Sequence, residues 1–141
     1  MNFFAVIVAG LTGTAAMTIL MMLAPMMGLP KMDIVGMLGS MFTTKPGPAK
    51  LIGLIIHFMM GVIFAFIYAL LWQKGLGSPT WVWGLIFGFV HGIVAVVTMP
   101  IMMKTYPRPP AMQPGPKLML GQIMGHLLFG LVVALTYAAL L

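Results

Sequence analysis

Four stretches of the chain, residues 3–27, 51–72, 81–103 and 118–141, contain no lysine, arginine, aspartate or glutamate. At about 1.5 Å of rise per residue, each is long enough to cross roughly 30 Å of hydrocarbon as a helix. A backbone in lipid has no water to bond, so each span must satisfy its own N–H and C=O groups, which a helix does within one segment. A membrane barrel needs short alternating segments, and these runs are continuous. The expected fold is therefore all-α: a polytopic membrane four-helix bundle forming a single domain over residues 1–141. Composition agrees, because 62% of the residues are hydrophobic and 6% charged. So few charges cannot cover a water-facing surface.

The charges that remain lie between the spans. Lys31, Lys45 and Lys50 follow the first span, and Lys104, Arg108 and Lys117 follow the third, whereas the middle loop holds only Lys74. Basic residues mark the cytoplasmic side, so the first and third loops are expected there, with both termini outside in a multi-pass protein of the cell (inner, cytoplasmic) membrane. The formal net charge of +6 then reads as topology and attraction to lipid headgroups, not as a nucleic-acid surface. Trp72, Trp81 and Trp83 flank the middle loop, where an outer aromatic belt would sit, and Tyr68 and Tyr137 are expected at the same interface. Met1-Asn2-Phe3-Phe4 carries no basic segment, so the first span is read as retained and not as a cleaved signal.

Two loops have their own character. Asp33 is placed to cap a short interfacial helix over residues 33–42, with Ile34, Met37, Leu38 and Met41 on one face. The third loop opens at Tyr106, read as an interfacial ring, and its prolines through Pro116 predict an extended connector.

The second and fourth spans share a pattern. His57, Gly61, Ala65, Tyr68 and Ala69 have the spacing of His126, Gly130, Ala134, Tyr137 and Ala138, which is H-x-x-x-G-x-x-x-A-x-x-Y-A. Gly53 and Gly121 precede the two histidines, offset by one residue. Small residues at four-residue spacing form a stripe that lets a neighbouring helix approach closely in lipid. The third span carries Gly84, Gly88 and Gly92, with His91 beside them, and the first carries Gly10, Gly13, Thr14 and Met17. A duplicated two-helix unit, with both copies in one orientation, accounts for the pattern.

One histidine stands in each of the last three spans. Measured from the nearest lysine, His57 and His126 lie about 10 and 14 Å deep, and His91 nearer the midplane. The expectation is that His57 and His126 face each other. Apart from Met1, the methionines sit in the lysine-flanked half of each span, near its middle, or in the adjoining loops. Three readings of this set stand side by side. Histidine packs by hydrogen-bonding across helices while methionine fills space. Alternatively, His57, His126 or His91 ligates a tetrapyrrole such as b-type haem or a chlorophyll-like ring. The third reading is a soft metal, copper(I) first, held by thioethers and imidazole.

Enzymatic sets are missing. Asp33 is the single acidic residue, which excludes carboxylate pairs and Asp-assisted triads within one chain. No phosphate-binding loop or H-E-x-x-H is present, and the absence of cysteine excludes disulfides and thiolate metal sites. The motifs Gly10-x-x-Gly13-Thr14-x-x-Met17, Leu29-Pro30-Lys31-Met32-Asp33 and the two H-x-x-x-G elements resemble those of uncharacterised small four-helix prokaryotic integral membrane proteins. The resemblance spans nearly the whole chain and implies a membrane location without an activity. The reading is a non-enzymatic structural or accessory subunit whose partners are lipid and other transmembrane helices, of its own kind or of a larger complex. A cofactor module and a small transporter or channel are the alternatives.

Overall fold

The computed structural model describes residues 1–105 and 115–141. The rest of the third loop, with the expected extended connector and the interfacial ring of Tyr106, lies outside the described residues. Five α-helices follow one another: α1 (Phe3–Leu23), α2 (Ile34–Ser40), α3 (Pro46–Gln73), α4 (Trp81–Thr105) and α5 (Pro116–Ala139). Among the described residues there is no strand. Four of the helical segments are long and apolar enough to cross a membrane, the first extended to Met27 by a 3₁₀ turn.

Local chemistry sets the ends. The Asn2 side chain accepts from the Ala5 N–H at 3.1 Å and starts α1. Pro25 opens the 3₁₀ turn, which stops at Gly28 with a left-handed φ of 76°, a conformation that only glycine adopts without strain. Asp33 caps α2 as expected, its Oδ1 accepting from Gly36 N–H at 2.8 Å. Two starts differ from expectation. α3 begins at Pro46, not at Leu51, and α5 at Pro116 instead of Leu118. Prolines that read as loop residues are tolerated in a first helical turn, where their missing N–H has no partner to lose. Pro100 sits inside α4.

The spans pack in the order α3–α1–α5–α4, and α2 folds back against α3. Glycines set the close approaches. A methyl group on Gly10 would stand 2.6 Å from the Val62 Cα, which brings α1 and α3 together beside Gly61. On Gly84 it would stand 2.6 Å from the Gly130 carbonyl oxygen, and on Gly130 2.8 Å from the Gly88 Cα, which joins α4 to α5. Gly92 also faces α5, at Ile123, and Ala65 and Ala134 are fully buried. These are the small-residue contacts expected of helices in lipid.

Gly53 and Gly121 do different work. Both were grouped with the span-to-span stripes, yet Gly53 lies against the backbone of Val35 and Gly39 in α2, and Gly121 against the end of Met32. The loop that contains α2 therefore occupies the face these glycines open. Met32, Met37 and Leu38 are buried there, while Met41 and Phe42 stay exposed.

The rings near the middle loop also depart from expectation. Trp72 turns into the bundle, stacking on Phe87 with centroids 5.8 Å apart and lying 5.6 Å from Tyr137. Tyr68 and Tyr137 are buried as well. An aromatic core of Tyr68, Trp72, Phe87 and Tyr137 fills this end. Trp81 alone of the tryptophans is largely exposed, and Trp83 packs part-buried on Phe87.

Candidate functional site

The three histidines come together. His57 from α3, His91 from α4 and His126 from α5 line one half-open cavity of about 130 Å³. Six of the other thirteen lining residues are methionines: Met17 and Met21 from α1, Met37 from α2, Met60 from α3, and Met99 and Met102 from α4. Ile34, Met37 and Leu38 close one side, so α2 is part of the chamber wall.

His91 and His126 stand with ring centroids 4.5 Å apart at an angle of 66°. The expected facing pair, His57 and His126, lines the same cavity. His126 is oriented by its own helix: Nδ1–H donates to the Gln122 carbonyl oxygen at 2.7 Å, which leaves the Nε2 lone pair free. His91 is held from the neighbouring helix, its Nδ1 hydrogen-bonded to the Tyr68 hydroxyl at 3.2 Å, with the Phe64 ring 3.9 Å away. His57 makes no hydrogen bond among the described residues and is 8% exposed. Nearby hydroxyls are satisfied within their helices, Thr14 bonding the Gly10 carbonyl at 2.7 Å.

Gln122 and Tyr68 escaped sequence reading as site residues. Gln122 is buried; its side-chain Nε2 donates to the Met99 sulfur, and its backbone carbonyl oxygen accepts the hydrogen bond from His126 Nδ1–H. Its signal was present: an amide side chain in an apolar span, four residues before a histidine. Tyr68 lies eleven residues beyond His57 on α3, and only the packing of α4 brings it to His91. No group of three His, Cys, Asp or Glu among the described residues stands close enough to hold a metal ion.

A second space opens between α3 and α4. It is a groove of about 410 Å³ lined by Phe64, Ile67, Tyr68, Leu71, Leu76, Trp83, Ile86, Phe87, Val90, His91 and Val94. α3 and α4 meet here through aromatic side chains with hardly any approach of their backbones. The two polar side chains in the lining bond one another.

A family model covers this architecture from end to end, matching residues 2–141. The chain belongs to the family of unknown function DUF6789. No curated protein and no solved structure matches it. The family match spans the motifs of α1, the Asp33 loop and both H-x-x-x-G elements, and so includes both the cavity and the groove.

Proposed function

We propose that the chain is a non-enzymatic accessory subunit that presents the groove between α3 and α4 to a transmembrane helix of its assembly. One observation carries this reading: the α3–α4 seam is the open side of the bundle, apolar along its length and unsupported by close backbone packing. Helices in lipid gain from van der Waals contact with a partner, and an open seam offers that contact. The exposed side chains of Ile67, Leu76, Ile86 and Val90 border it. Asp33, the single carboxylate, is used as a helix cap, which leaves no acid for catalysis. Nucleic acid has no place in this reading, since Lys31, Lys45, Lys50, Lys104 and Lys117, all of the described basic residues but Lys74, sit beside one end of the bundle, where anionic headgroups take them up. That end is cytoplasmic and both termini are outside, in the cell membrane.

A tetrapyrrole has less support. The cavity that all three histidines share, about 130 Å³, is well below the roughly 300–1,000 Å³ of pockets that enclose drug-sized ligands, and the larger spaces of about 390 and 410 Å³ are each lined by one histidine, His57 and His91 respectively.

Native electrophoresis of gently solubilised native membranes tests the proposal. It predicts a species well above the 15.2 kDa chain that is lost when Ile86 and Val90 are changed to glutamine. Migration as a monomer under every mild detergent removes it.

A further inference from the structure

We infer that the point where Met17, Met60, His57, His91 and His126 converge is a binding site for a soft monovalent cation, copper(I) in particular. The inference is independent of the groove and of any partner. These five side chains line both the central cavity and an adjoining space of about 50 Å³. Packing alone leaves His57 unexplained, because a buried imidazole without a hydrogen bond is costly. Its ring is nevertheless not sealed off: the sole enclosed side-chain nitrogen or oxygen without a partner, among the described residues, is Trp72 Nε1. His57, His91 and His126 each line both spaces, and His57 makes no hydrogen bond among the described residues.

The remaining geometry fits a coordinated ion. A ligating imidazole nitrogen stands about 2 Å from its metal, so two ring centres within roughly 6 Å can share one ion. His91 and His126 are 4.5 Å apart. Their other nitrogens are engaged by Tyr68 and Gln122, the kind of outer hydrogen bond that fixes the tautomer of a metal ligand.

Charge and softness choose the ion. Among the described residues no three His, Cys, Asp or Glu come close enough to serve alone, so thioethers must complete the set, and thioethers favour copper(I) over zinc, calcium or magnesium. The spans hold no acid. An uncompensated ion in a low-dielectric interior pays a Born cost that rises with the square of its charge, about fourfold more for a divalent ion. The repeat supports the grouping. Gly61 touches Gly10 and Thr14 as Gly130 touches Gly84 and Gly88; in that register His57 corresponds to His126 and Met17 to His91. Each copy of the pattern thus sends two donors to one point.

The test is anaerobic titration of the full chain in detergent with copper(I) against a chromophoric copper(I) chelator, with zinc(II) in parallel. We expect about one copper(I) per chain, sulfur and nitrogen scattering in its X-ray absorption spectrum, and no zinc retained. Met17→Leu keeps the volume and the fold and should weaken copper binding at least tenfold, as should His126→Ala. No copper held against the chelator, or copper held equally by wild type, Met17→Leu and His126→Ala, would overturn the inference.

Discussion

The α1–α5 and α4–α3 seams occupy corresponding places in the two copies of the repeat, yet one is shut and the other open. At the shut seam Gly13 lies against Val133 and Phe129, and Gly125 against Met17 and Met21. In the register set by Gly61 and Gly130, Gly13 corresponds to Phe87 and Val133 to Phe64. The open seam therefore has an aromatic ring where the shut one has a glycine, and a second ring where it has a valine. Phe87 stands 5.1 Å from Tyr68 and 5.8 Å from Trp72 by ring centroids, and these rings space the helices. Backbone similarity does not enforce equal packing, since two side chains decide whether a seam closes or stays available.

Changes that copy one seam onto the other should break this contrast. Gly13→Phe brings the open-seam residue into the shut seam, where a methyl alone would stand 2.7 Å from the Val133 Cγ2. We expect a loss above about 3 kcal/mol, with no stable monodisperse protein by size exclusion. Gly130→Ala comes next, because a methyl there meets the backbone of Gly84 and Gly88, which cannot rotate away. It should cost about 2–3 kcal/mol in reversible unfolding by SDS. The smallest effect belongs to the open seam. Tyr68→Phe removes only the hydroxyl that bonds His91, and a hydrogen bond between helices in lipid is worth about 0.6 kcal/mol.

The sequence makes the spans legible because hydropathy over a whole bilayer thickness survives any detail of packing. Asp33 is legible as a cap for the same kind of local reason. The small-residue stripes are visible too, but not their partners: Gly53 and Gly121 look like span contacts until α2 is found covering the first and Met32 the second. Depth along a helix can be counted from a lysine, which places His57 and His126 in one half and His91 nearer the midplane. Rotation about each helix axis cannot be counted, so the His91–His126 pair and the parts played by Tyr68 and Gln122 emerge only from packing. Trp72 was read as interfacial because it ends a span; Phe87 and Tyr137 draw it inward. The asymmetry of the seams stayed hidden because the first and third spans share too few residues to align without the glycine contacts.

Site-specific photocrosslinking in native membranes tests the open seam most directly. A photoreactive side chain at Ile86, exposed and lining the groove, should give a discrete adduct with a transmembrane helix of another chain. The same group at Ile19, exposed on α1 and away from the groove, should label lipid alone. Lipid labelling from both positions, with no protein adduct at Ile86, would contradict the account.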